Sequence, residues 1–114
     1  MEYNSDNIFA KIIKKKLPSE IVYEDDKIIA IKDKFPAAPV HLLIMPKKEI
    51  ANFQSMQEED MAILQDVAKV AQKLAKEFNL SHYRLLTNNG SKAGQTIFHL
   101  HFHLLGGRDL GVMG

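Results

Sequence analysis

Apolar residues recur along this chain at two spacings, and the alternation between them predicts most of the secondary structure. Ile8, Phe9, Ile12 and Ile13 fall on one side of a helix, with Ser5 or Asp6 placed to cap it and Pro18 to stop it. Lys14, Lys15 and Lys16 come in its last turn, where cations complement the helix dipole, so this charge run reads as a solvated helix end. Residues 21–24 and 27–32, divided by Asp25-Asp26, read as a hairpin whose isoleucine-rich second strand ends near Asp33. Pro36 and Pro39 interrupt the pattern before a third strand, residues 40–45, closed by Pro46. Ser55 followed three positions later by Glu58 has the form of a capping box, opening a long helix that runs to about Phe78. Met61, Leu64, Val67, Ala68, Ala71, Leu74, Ala75 and Phe78 supply an apolar face wide enough to pack on a sheet and to touch a second subunit. Residues 83–87 read as a fourth strand, and a polar loop from Asn88 to Gln95 leads into the last one. Hairpins, one long helix and a final strand, without strand–helix alternation, predict an α+β domain with a mainly antiparallel sheet.

The last segment carries the chemistry. In Phe98-His99-Leu100-His101-Phe102-His103-Leu104-Leu105 a strand sends His99, His101 and His103 to one face and Phe98, Leu100, Phe102 and Leu104 to the other. A strand that gives one whole face to imidazole forgoes apolar burial on that face, which packing alone does not explain. Imidazole is the commonest metal ligand, and two histidines two apart can chelate one ion. However, a rise of about 3.3 Å per residue sets the outer pair about 13 Å apart, too far for all three to converge. The segment has no carboxylate and the chain no cysteine. Surface histidines and a metal site stay open beside the third reading, in which one ring attacks while others hold phosphate oxygens or move protons near neutral pH. The loop ahead of the strand, with Gly90, Gly94, hydroxyl groups and amides, lets backbone N–H groups approach an anion closely. It lacks the Gly-Lys-Ser/Thr ending of a P-loop. Gln95 and Thr96 lie where their side chains reach a phosphate held over His101. Taken alone, His41 at the start of a strand reads as structural, Asp33 as a turn residue and His82 as surface. No Gly-x-Ser-x-Gly motif or recommending carboxylate pair is present.

Composition narrows the partners. At 114 residues the expectation is one domain, 1–114, with room for a core but not for a second domain. Fifteen basic and fourteen acidic side chains leave a net charge of +1, which argues against binding a nucleic acid polymer or an anionic membrane and for a small ligand. The absence of cysteine excludes disulfides and thiolate zinc and suits a reducing compartment. The acidic, polar first residues resemble no signal peptide, and no run approaches membrane-spanning length, so a cytoplasmic protein is expected.

His99-Leu100-His101-Phe102-His103-Leu104-Leu105 resembles the His-φ-His-φ-His-φ-φ signature, φ being hydrophobic, of the histidine-triad superfamily. The resemblance extends along the chain through residues 7–13, Leu17-Pro18, Glu24-Asp25-Asp26, Asp33, Pro36, Pro39, His41, Ile44, Pro46-Lys47-Lys48, Asn88, Gly90 and Gly94-Gln95. With Gly106-Gly107-Arg108 after the triad, it is similar to the Hint branch of nucleoside phosphoramidases. The resemblance implies a histidine-triad fold with a five-stranded sheet, one short amino-terminal helix and one long helix. It implies hydrolysis of the P–N bond of purine nucleoside 5′-monophosphoramidates through a nucleotidyl-histidine intermediate. On it, His101 is the nucleophile, His103 contacts the phosphate and protonates the leaving group, His41 assists and His99 supports the site. Asp33 accepts the ribose hydroxyls, Ile8, Phe9, Ile12 and Ile31 wall the base pocket, and Asn88, Gly94, Gln95 and Thr96 lie on the phosphate side. It further implies a purine nucleotide substrate, a homodimer, and neither metal nor organic cofactor. Many relatives carry zinc-binding cysteines where this chain has Asn7 and Ala10. The alternatives are dinucleoside polyphosphate hydrolysis, or a nucleotide-binding or interaction protein with vestigial activity.

Overall fold

The computed structural model describes residues 2–113. It contains helix α1 (Ile8–Ile13), strands β1 (Ile21–Glu24), β2 (Ile28–Lys32) and β3 (Val40–Pro46), helix α2 (Ala62–Glu77), and strands β4 (Tyr83–Leu86) and β5 (Phe102–Gly106). The strands form one sheet in the order β1-β2-β3-β5-β4, with every neighbouring pair antiparallel. This is the α+β architecture expected from the sequence. No helix among the described residues is long and apolar enough to cross a membrane.

Both faces of the central strands are covered, which explains why β2 is an unbroken apolar run and not an alternating one. Ile28 and Ala30 of β2, Leu42 and Ile44 of β3, and Phe102 and Leu104 of β5 turn toward α2, where they pack with Val67, Val70, Ala71 and Leu74. Ile29, Ile31, Leu43 and Met45 turn the other way and meet Phe9 and Ile12 of α1. The period of two then assigns His41 to the α1 face with Leu43 and Met45. His103, directly opposite Leu43, shares that face.

Helix ends differ from expectation in instructive ways. Asn7, and neither Ser5 nor Asp6, caps α1, its Oδ1 accepting the Ala10 N–H at 2.8 Å. The helix stops well before Pro18, at a Schellman turn in which Lys16 N–H donates to Lys11 O and Lys15 N–H to Ile12 O. Lys15 takes the left-handed conformation this requires, φ 62°. Lys14–Lys16 therefore lie beyond the helix, and two of them pair with carboxylates, Lys15 with Glu24 at 2.6 Å and Lys14 with Glu49 at 3.7 Å. The long helix ends the same way at Asn79 (φ 56°), where the sequence places its end. Its beginning was misplaced: Asp60, held by Lys48, accepts the Gln57 N–H, a single 3₁₀ turn covers Glu58–Asp60, and Ser55 bonds Asn52 instead. Met61 and Ala68, expected on the buried face, are exposed, and Val70 takes part in the core.

The histidine strand is shorter than its alternation suggests. Ladder pairing starts only at Phe102, because the carbonyls before it are diverted to side chains. His99 O accepts from His101 Nδ1 at 2.7 Å and His101 O from Thr87 Oγ1 at 2.6 Å. The chain bends at His99 and Leu100 N–H is tied to Ile50 O at 2.7 Å, yet the two-face alternation survives without the ladder, since Leu100 joins the core under α2. Leu100 is fully buried on the α2 side.

Candidate active site

The imidazole face is not left to solvent. Helix α1 and the residues ahead of it cover it, so His99 is fully buried and His41 and His101 are each 8% exposed. Phe9 meets His101 edge-on at 4.8 Å between ring centroids, and His101 and His103 stand 5.1 Å apart. The triad face forgoes apolar side chains without being open to solvent: His99 and His101 are buried, His103 is partly exposed, and hydrogen bonds compensate the rings.

Those bonds assign the ring protons, since a carbonyl can only accept and a backbone N–H can only donate. Ala37 N–H donates to His41 Nδ1 at 3.0 Å, which places the His41 proton on Nε2. His41 Nε2–H then donates to His103 Nδ1 at 2.9 Å, leaving the His103 proton on Nε2. His101 Nδ1–H donates to the His99 carbonyl, so its lone pair is on Nε2. His99 Nε2–H donates to Pro46 O at 2.7 Å. The triad therefore presents one basic nitrogen, on His101, beside one N–H donor, on His103. Sequence spacing places the rings on one face but says nothing of this asymmetry.

Burial pushes all four rings below the ordinary imidazole range. His103 falls furthest, to about 4, because burial is joined by repulsion from His101 and His41. For His41 and His101 burial outweighs the opposing pull of Asp33, and for His99 it outweighs the bond to Pro46. All four are neutral at pH 7, in agreement with the bonding pattern.

Asp33 Oδ2 lies 3.3 Å from His41 Nε2, and its Oδ1 accepts the Phe35 N–H at 2.8 Å. Asp33, His41 and His103 each offer a ligand atom, all within 4.8 Å of one another. The surroundings do not suit a metal. A ligating imidazole donates from its other nitrogen to a carbonyl or carboxylate, whereas His41 Nδ1 faces a backbone donor and its proton occupies the nitrogen that would face the ion. Three-histidine convergence is likewise absent, as the strand geometry requires.

The remaining expected positions separate into groups. Phe9, Ile12 and Ile31 form a packed apolar floor beneath the histidines, 3–6% exposed, while Ile8 stands outside it at 52%. Ile8 is thus the member of that set with most free surface. Gly94 adopts φ 104°, and a side chain there would meet Asn88, so these two sit together in the loop before the triad. Thr96 is exposed. Gln95 does not extend toward a phosphate: its Nε2 hydrogens go to Ala51 O and Ile97 O, and its Oε1 accepts from Gly90 N–H. It ties the loop to the segment after β3. His82 is exposed, as read from its position. Tyr3, Thr87 and the Ala37 N–H join the site without any sequence signal, since nothing local in the chain announces a bond to a histidine. A separate cavity of about 700 Å³, lined by residues 79–84 and 107–111, contains none of the triad.

Comparison with known proteins agrees with this geometry. Residues 14–110 match the model of the HIT domain family. A HIT-like protein of Chlamydia pneumoniae is 49% identical over 107 residues, 93% of this chain and 97% of its own length. Among solved structures, a HIT family hydrolase from Clostridium thermocellum superposes with a TM-score of 0.92 at 53% identity, over 96% of this chain and 97% of that one. A histidine triad protein from Clostridium difficile gives 0.92 at 38% identity over the whole of both chains. The chain belongs to the HIT family.

Proposed function

We propose that this protein is a nucleoside phosphoramidase of the Hint branch, hydrolysing the P–N bond of a purine nucleoside 5′-monophosphoramidate of the AMP-amine type. The observation that carries the reading is the placement of one free imidazole lone pair, His101 Nε2, beside one free imidazole donor, His103 Nε2–H. Nucleophilic catalysis followed by protonation of an amine needs this pair. The hydrolase relative from Clostridium thermocellum supports the broader class. Gly106-Gly107-Arg108 after the triad supports the branch.

In this mechanism His101 Nε2 attacks phosphorus, the P–N bond breaks, and the ring becomes a cationic nucleotidyl-imidazole whose Nδ1–H stays on the His99 carbonyl. The departing amine takes a proton from His103. A neutral imidazole is too weak an acid for that, so the His41–His103 pair takes up one proton when the anionic substrate arrives, because a nearby negative charge favours the charged ring. Asp33 beside His41 favours the same state. Water then attacks the phosphorus, its proton goes to the neutral pair, and the nucleotide monophosphate leaves. Asp33 receives the ribose hydroxyls, Ile8 with the floor of Phe9, Ile12 and Ile31 the base, and the loop of Asn88, Gly94 and Thr96 the phosphate. No cofactor enters the steps.

The enzyme acts in the cytoplasm as a homodimer on this reading. Strand β4 is an edge of the sheet, and its Tyr83 and Leu85 are 42% and 41% exposed, a surface suited to a second copy. The test is turnover of an adenosine 5′-phosphoramidate carrying a fluorescent amine. Wild-type protein is expected to release the amine, and His101→Ala to lose turnover while still binding AMP. Release by His101→Ala at a near-native rate refutes the proposal.

A further inference from the structure

Tyr3 lies ahead of the segment matched to the HIT domain and 96 positions from His99, yet its Oη is 2.6 Å from His99 Nδ1. Its ring stands edge-on to the imidazole at 5.7 Å and 74°. Because Pro46 O fixes the His99 proton on Nε2, Nδ1 carries the lone pair and the Tyr3 hydroxyl is the donor. Asn7 completes the chain of bonds. Its Nδ2 donates to Tyr3 Oη at 3.0 Å and to Asn4 O at 2.8 Å, while its Oδ1 caps α1. Thus one amide joins the cap of the helix that packs Phe9 on His101 to the phenol that holds His99, whose carbonyl holds His101.

We propose that Tyr3 is a positioning residue for the nucleophile: its hydroxyl donates to His99 Nδ1 and, with the Pro46 carbonyl on the other nitrogen, anchors the ring at both ends, and the anchored ring fixes the carbonyl that makes His101 present Nε2. With the other tautomer, His99 would set a lone pair against the Pro46 carbonyl, and the ring would turn, carrying its own backbone with it. A neutral His99 also matters electrostatically, because His101 becomes cationic on attack and a second cation beside it would oppose that step. The charged and titratable groups that act on His99 are His101 and Glu49, with the Tyr3 phenol itself, which burial holds above its ordinary range. The inference rests on His101 as nucleophile, but its first consequence, the hydrogen bond at His99 Nδ1, does not require turnover.

The test is Tyr3→Phe, which keeps the ring and removes the hydroxyl, read by ¹⁵N-imidazole spectra of the free protein and by steady-state kinetics with the AMP-amine substrate. Wild-type protein is expected to show His99 as a single Nε2–H tautomer. In Tyr3→Phe the Pro46 carbonyl keeps the proton on Nε2, while the His99 Nδ1 resonance moves toward that of a ring nitrogen without a hydrogen bond and its titration rises, because a bond that favoured the neutral ring is gone. kcat falls about tenfold, the weight of one hydrogen bond, with KM unchanged. Asn7→Ser, which keeps a capping oxygen but removes the donor to Tyr3, shifts the same signals less and serves if Tyr3→Phe does not fold. Unchanged His99 spectra overturn the proposal whatever the kinetics, and altered spectra with native kcat overturn its catalytic part. Absence of turnover in wild-type protein instead refutes the phosphoramidase reading, while the spectra still decide what Tyr3 does.

Discussion

The two faces of the sheet are built on opposite principles. Beneath α2, Ile28, Leu42, Ile44, Leu74, Leu100 and Leu104 are fully or almost fully buried and held by apolar packing. Beneath α1, His41, His99 and His101 are buried almost as deeply, His103 less so, and the rings are held by directed bonds to Ala37 N–H, Pro46 O, His99 O and Tyr3 Oη. Apolar contacts are non-directional, so the α2 face fixes where β3 and β5 lie without fixing any proton. Hydrogen bonds on the α1 face fix protons one by one, and they work only because the other face supplies a rigid frame. Substitutions on one face are therefore expected to move stability, and on the other to move chemistry.

The largest effect that would sharpen this contrast is His103→Ala. Removal of the proton donor is expected to slow turnover about 10²- to 10⁴-fold, measured with the fluorescent AMP-amine, with nucleotide still bound. Leu74→Ala, at a position with no exposed surface, should do the reverse, costing about 2–5 kcal/mol of unfolding free energy by urea titration. Turnover per folded molecule should stay native. A Leu74→Ala protein of native stability, or a His103→Ala protein of native rate, would break the division.

Acid should act on the histidine face first. Folded-state values below the unfolded imidazole value mean that the unfolded chain binds more protons between them, so stability is fully present above about pH 6.5 and is lost as pH falls toward about 4. The His103 share of that loss is about 2–3 kcal/mol, and His41, His99 and His101 shift in the same direction. Urea midpoints between about pH 7.5 and 5 isolate this effect, because Glu24, Asp25 and Asp60, whose carboxyls are held below their usual range, titrate lower still. His103→Ala should flatten the slope. A midpoint independent of pH over that interval would mean that the rings titrate in the folded protein as they do in the unfolded chain. The smallest expected effect is that of a strong chelator, which should leave turnover unchanged. Loss restored by stoichiometric zinc would show that Asp33, His41 and His103 hold an ion despite the donor facing His41 Nδ1.

The same division separates what was legible in the sequence from what was not. Period-two and helical spacings report burial, and they placed the five strands, the short helix, the end of the long one and the two faces of the histidine segment to within a few residues. Helix starts were less legible, because Ser55 with Glu58 and Gln57 with Asp60 both offer capping chemistry. The ion pair from Lys48 to Asp60 and the bonds from Ser55 to Asn52 decide between them, and the ion pair is tertiary. Gln95 was read as a phosphate contact from its place in a polar loop, yet its amide is consumed by Ala51 and Ile97, a choice no local pattern encodes. Tyr3 was invisible because a phenol near the start of the chain has no marker for an imidazole 96 residues later. Resemblance to a family implies His101 as the nucleophile, and the bond from its Nδ1 leaves on Nε2 the lone pair that such a role would need.

That role is open to one direct measurement. Wild-type protein mixed with an adenosine phosphoramidate labelled in the nucleotide, quenched within a single turnover and digested for peptide mapping, should carry the label on His101 through its Nε2. Label on His99 or His103, or unlabelled protein during full turnover, would contradict the assignment of the free lone pair on which this account of the site depends.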